Sequence, residues 1–132
     1  MTPMQTTTVN DCARQALSGE LSFPAILGKL ADAQIERYHA DYSRQEITYY
    51  LPNGESQVVA TPHLPHATGD SFSATAVQAA VRQSQRNEHT YLQFIAKTMA
   101  AGCVGYCVHI TGRQVIYFGR RGESHIELIP PA

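Results

Sequence analysis

Apolar positions along the chain switch from a helical period to a period of two, and they do so twice. Val9, Cys12, Ala13, Ala16 and Leu17 recur at helical spacing over residues 7 to 18, with Thr7 or Thr8 placed to cap the first turn. Gly19 and Glu20 break that pattern. Ser22 opens a second predicted helix, in which Phe23, Ile26, Leu27 and Leu30 follow i, i+3, i+4, i+7. Pro24 fits there because the first turn needs no N–H from it, and the helix is expected to end near Ala33. From Ile35 to Tyr42 the period is two. Tyr38, Ala40 and Tyr42 form the face expected to be buried, and Ile35, Arg37, His39 and Asp41 the other. Glu46 to Leu51 carries Ile47, Tyr49 and Tyr50 on both faces, as a central strand does. Pro52-Asn53-Gly54 then turns the chain, Asn-Gly being a dipeptide that tolerates positive φ, and Glu55 to Ala60 returns as a third strand.

The second half restates this layout 68 residues later without a gap. Ser73 is placed to cap a helix carrying Val77, Ala80, Val81 and Ser84, and Tyr91, Phe94, Ile95 and Thr98 mark the next. Gly102 supplies a helix stop that Gln34 is not expected to supply in the first half. Strands follow at Val104 to Ile110, Arg113 to Phe118 and Glu123 to Ile129, separated by Thr111-Gly112 and Gly119-Arg120-Arg121-Gly122. Between residues 7–64 and 75–132, thirteen of 58 aligned positions are identical, more than chance supplies; they include Tyr38 with Tyr106, Tyr49 with Tyr117, and Gly54-Glu55-Ser56 with Gly122-Glu123-Ser124. The expected fold is therefore α+β: two pseudo-repeats of helix-helix-strand-strand-strand, with antiparallel meanders packed on helices as one pseudo-twofold domain. Residues 65–74, with Pro65 and Gly69, read as the connector.

Composition narrows the function classes. At 132 residues the chain can bury a core, and a formal charge of −1 gives it no overall positive field, so nucleic acid is disfavoured as a partner. The first residues lack the charged start and apolar run of a signal peptide, and no apolar stretch reaches the roughly 20 residues of a membrane helix, so a cytoplasmic protein without membrane contact is expected. Three cysteines fit no disulfide framework. Cys103 and Cys107, four apart on a predicted strand, would stand roughly 13 Å apart and remain free thiols.

Several residues are candidates for chemistry. On the polar face of the first strand in each repeat, His39 and Asp41 answer Cys107 and His109. If those strands meet at the pseudo-dyad, the four side chains converge, as a thiol activated by imidazole or a metal site would require. A solvated strand face is the preferred reading, and Cys103-x3-Cys107-x-His109 is no standard zinc spacing, so no metal or cofactor is expected. His125 and Glu127 share a face of the last strand, as acid/base pairs do, but only in one repeat. His63 and His66, flanking Leu64-Pro65 where the chain enters the connector, are expected to be solvated. Arg120 and Arg121 between glycines could receive an anion, and Tyr38, Tyr49, Tyr106 and Tyr117 could line a cleft between the halves, although core aromatics fit the same spacing.

Leu30 to Tyr50, with Ala33, Ile35-Glu36-Arg37-Tyr38, Asp41 and Tyr49-Tyr50, together with Ala101-Gly102-Cys103 through Gly119-Arg120-Arg121-Gly122-Glu123-Ser124-His125-Ile126-Glu127, resembles the YbcV/YdfO-like group over roughly residues 20 to 130. That resemblance implies an uncharacterised, often prophage-encoded bacterial protein, some members of which are labelled phage envelope protein. It carries no reaction and no site residue. Gln34 departs from the glycine expected after the second helix. The function expected on this footing is a non-enzymatic binding module acting through an inter-repeat groove or a sheet surface, its partner a protein or small molecule, and homo-oligomerisation is compatible with it. The alternative is a small enzyme or metal-dependent protein with its His/Asp/Cys site at the pseudo-dyad.

Overall fold

The structure, a computed structural model, describes residues 1–130. Element order in each repeat is the expected one: α1 Pro3–Ser18, α2 Phe23–Asp32, β1 Arg37–Asp41, β2 Glu46–Tyr50 and β3 Ser56–Ala60, then α3 Ala74–Gln85, α4 Tyr91–Ala100, β4 Cys103–His109, β5 Gln114–Gly119 and β6 Ser124–Leu128. The six strands form one antiparallel sheet in the order β3-β2-β1-β4-β5-β6. Alternate residues of the four inner strands, including Tyr38, Ala40, Ile47, Tyr49, Tyr106, Val108, Val115 and Tyr117, join Val9, Ile26, Leu30, Val77, Phe94, Ile95 and Met99 of the helices in one core cluster. The sheet thus carries its helices on one face, as α+β layering requires. Its other face bears the intervening residues.

The two repeats are joined edge to edge, β1 to β4, and His39 pairs with Cys107. Those two positions are counterparts at the 68-residue offset, so the pseudo-dyad passes between them. Ile110 N–H donates to Glu36 C=O, which makes the even-numbered pairs the hydrogen-bonded ones and puts His39 and Cys107 in a non-hydrogen-bonded pair, where side chains stand closest. Gly105 permits this seam: a Cβ there would lie 2.4 Å from the Ala40 carbonyl oxygen.

Three local expectations are corrected. α1 starts at Pro3, capped by Thr2 in a capping box with Gln5, four residues before the apolar period becomes visible. Gln34 does terminate its helix, adopting φ 67 while Ile35 N–H bonds Leu30 C=O, at the cost an L-residue meets in the left-handed region. Its counterpart Gly102 is held to glycine by the connector, since a Cβ there would meet the Ser71 oxygen at 2.6 Å. In the β2–β3 turn only Gly54 takes positive φ (92°); Asn53 instead accepts the Glu55 N–H on its side-chain oxygen. Among the described residues no helix is long and apolar enough to cross a membrane.

Candidate functional site

The residues that α2 turns toward the second repeat are Phe23, Leu27 and Ala31, one residue round from the core-facing Ile26 and Leu30. Phe23 remains 39% exposed, so the apolar face of α2 is wider than the core alone needs. Across from it lie Val81 of α3, Tyr91 and Phe94 of α4, Tyr106 of β4, and Val115 and Tyr117 of β5. Between them is a cavity of about 740 Å³, built from both repeats and lined also by Leu128, Ile129 and Pro130.

The polar groups of this cavity are few and placed. Tyr91 and Tyr106 hydroxyls bond each other at 2.7 Å on its wall. Burial pushes the Tyr91 phenol up to about 12 and raises Tyr106 and Tyr117 as well, Tyr117 also by the nearby Glu127 charge, so all three are neutral at pH 7. Glu127 is held on both oxygens, accepting from His125 Nε2 at 2.7 Å and from Arg82 Nη1 at 3.1 Å. Arg113, exposed at the rim, donates to the Pro130 carbonyl. Close by, Ser84 Oγ lies 2.7 Å from His89 Nε2, while the Lys97 ammonium lies 2.9 Å from His89 Nδ1. An ammonium is donor only, so Nδ1 accepts and the ring proton sits on Nε2. Burial and the Lys97 charge lower the His89 pKa. The ring therefore donates to Ser84 and is not placed to take the hydroxyl proton.

On the first-repeat side the counterpart region is occupied by side chains. Tyr42 stands where the second repeat has Ile110, and connector His63 packs edge-on against its ring at 6.2 Å. Gln45, counterpart of Arg113, spends its side-chain oxygen on the His63 N–H. The connector histidine is thus part of the packing and not wholly solvated: His63 Nε2 is buried without a hydrogen-bond partner among the described residues.

The residues singled out from the sequence are distributed as follows. His39 and Cys107 face each other at the dyad on the helix-free side of the sheet, but Asp41 lies opposite Gly105 and His109 opposite Arg37. The Asp41 carboxylate accepts from the Ser43 and Arg44 N–H groups, and burial raises the Cys107 thiol against a smaller lowering by Arg37. That thiol is not an activated nucleophile at neutral pH. No group of three or more His, Cys, Asp or Glu among the described residues is placed to hold a metal ion. Tyr106 and Tyr117 line the cavity, whereas Tyr38 and Tyr49 are packed in the core. Arg121 donates to the Asp70 carbonyl at 2.9 Å and Arg120 lies 3.6 Å from its carboxylate, so this turn ties down the connector. His125 and Glu127 do meet, and of the two Glu127 lines the cavity.

Tyr91, Arg82, Ser84, His89 and Arg113 were not singled out by motif. Their signal lies in comparing the repeats: Glu127, Ser84 and His89 stand where the first repeat has Val59, Ala16 and Leu21, and Arg113 stands for Gln45. Charge or hydroxyl thus replaces apolar side chains at equivalent positions in the second half.

A family model described as a protein of unknown function, DUF1398, matches residues 13–127. No curated protein matches the chain. The match supports the uncharacterised-family part of the resemblance and does not extend to the YbcV/YdfO or prophage naming.

Proposed function

For a chain that belongs to the DUF1398 family of proteins of unknown function, we propose a non-enzymatic binding module that takes a small, largely apolar molecule into the inter-repeat cavity. The observation that carries this reading is the cavity itself. Its volume of about 740 Å³ falls in the range of ligand sites, which characteristically combine apolar walls with a few placed polar groups. Catalysis fits less well, because the imidazoles available are held in non-productive roles: His89 donates to Ser84, and His125 is bonded to a carboxylate that Arg82 already neutralises. The uncovered sheet face is the lesser candidate for the site, since its central row places Thr48, His39 and Cys107 between the apolar Val58 on one edge strand and Ile116 and Ile126 on the other side.

Gly28 supplies the test. It lines the cavity, and a Cβ built on it meets nothing within 4 Å. Gly28→Phe therefore fills the space from within α2. Titration with the neutral fluorophore N-phenyl-1-naphthylamine should give saturable, one-to-one enhancement in the wild type and none in Gly28→Phe. Equal binding by both proteins would move the site elsewhere.

A further inference from the structure

The charged groups of the cavity are unequal. Glu127 and Arg113 are the two charged residues that line it. Glu127 spends one oxygen on Arg82 and the other on His125, so its charge is compensated within the wall. Arg113 has no carboxylate partner among the described residues and bonds only the Pro130 carbonyl, leaving guanidinium N–H donors of its planar fork at the rim. Deeper in, the Tyr91–Tyr106 contact uses one of two hydroxyl hydrogens; the other remains to be donated. The cavity is thus apolar in body, positive at the mouth and carries one spare hydroxyl donor on its wall. The one anion lining it, Glu127, is compensated, and no uncompensated carboxylate lines it among the described residues.

Resting on the cavity reading above, we propose that the ligand is a monoanionic amphiphile, a carboxylate on an apolar chain or ring, whose carboxylate sits at Arg113 and whose body lies among Phe23, Leu27, Phe94 and Tyr117. A cation is disfavoured by Arg113, and a neutral molecule of the same shape gains the walls but not the rim. The first repeat supplies the control substitution. Gln45 occupies the position equivalent to Arg113 with nearly the same backbone, φ 53 against φ 59, so Arg113→Gln places in the second repeat a residue that this turn already carries in the first.

Octanoate and 1-octanol form a matched probe pair, titrated into uniformly ¹⁵N-labelled full-length protein and read from amide shifts. Both are expected to shift amides lining the cavity, with octanoate binding about fivefold tighter at low salt, a charge-assisted hydrogen bond discounted for its exposure. In Arg113→Gln octanoate should fall to the affinity of octanol while octanol is unchanged. The preference should also shrink as salt rises. Octanol binding as tightly as octanoate, or a preference that survives Arg113→Gln, overturns the carboxylate assignment and leaves the cavity reading standing. No cavity shift with either probe removes both.

Discussion

Gly28 sits inside α2, where glycine costs roughly 0.8–1.0 kcal/mol relative to alanine through backbone entropy. In a packed helix face the substitution usually fails because the new methyl meets a neighbour. Here it meets nothing within 4 Å, so Gly28→Ala should realise nearly the whole propensity gain. With an unfolding entropy of about 2.1 cal/mol/K per residue, a chain of 132 residues gains roughly 3 °C in Tm from about 0.8 kcal/mol. Differential scanning calorimetry reads this directly, and urea unfolding checks that the change is in midpoint and not in slope. The alanine methyl also occupies too little of the cavity to exclude a ligand, so fluorophore binding should persist in Gly28→Ala while it disappears in Gly28→Phe. A lower Tm for Gly28→Ala would mean that the methyl collides with a closed wall, and the open groove would be refuted on stability alone.

The remaining expectations concern the buried titratable groups and the cavity wall. Burial raises Cys103 to about 12 and Tyr91 to about 12, above the usual 8.5–10 for an unfolded thiol or phenol. The unfolded chain releases these protons first, so their contribution is complete below about pH 9 and is lost as pH rises through about 12. Urea midpoints should therefore fall from pH 9 upward, and a flat profile to pH 11 would contradict the burial. Native protein at pH 8 should also leave Cys103 unmodified by a disulfide reagent, with Cys107 reacting ahead of it. Glu127→Val installs the first-repeat residue; because Arg82 keeps 40% of its side-chain surface exposed, losing this half-buried pair should change stability by no more than about 1 kcal/mol in either direction. The same variant should tighten octanoate binding by removing the Glu127 carboxylate from the wall, and weaker binding would show that Glu127 acts as a ligand contact.

Element type was legible because the change from a 3.6-residue to a two-residue period from Ile35 and again from Val104 cannot be produced by a helix, and the buried Tyr38, Ala40, Tyr42, Tyr106, Val108 and Ile110 follow from it; Ile35, expected on the opposite face, is instead buried in the core just ahead of β1. The start of α1 was not, since Thr2, Pro3 and Gln5 define a helix end by hydrogen bonding and leave no apolar trace. Gln34 was misread for a related reason: its left-handed backbone is imposed by the bond from Ile35 to Leu30 and is not advertised by residue type. The offset of the repeats predicted a dyad but not the pairing across it. His39 and Cys107 could meet only if the two free edges paired in this one register, and one residue of slip would have put the two side chains on opposite faces of the sheet. The cavity was least legible, because it lies between α2 of one repeat and the strands of the other, and sequence periodicity describes each element without its distant neighbour.

The two halves use one scaffold differently. Arg14 and Arg82 are counterparts, yet Arg14 pairs outward with Asp11 and Glu20, at 3.7 and 3.4 Å, both well exposed. Arg82 turns to Glu127 at 3.1 Å, and Glu127 keeps only 11% of its side-chain surface. The difference is set at position 127, because the first repeat offers Val59 there and no acceptor. Desolvating a carboxylate costs free energy that a valine would not, and the charge is held in place only by the two donors it receives from Arg82 and His125. The same half lacks the connector histidine that fills the space beside Tyr42, and it has the smaller Ile110 at that place. Packing alone would favour closing both halves alike. Among the described residues one half is filled by His63 while the other keeps an apolar space with Arg113 at its rim, and a ligand held there, as proposed above, would account for that asymmetry.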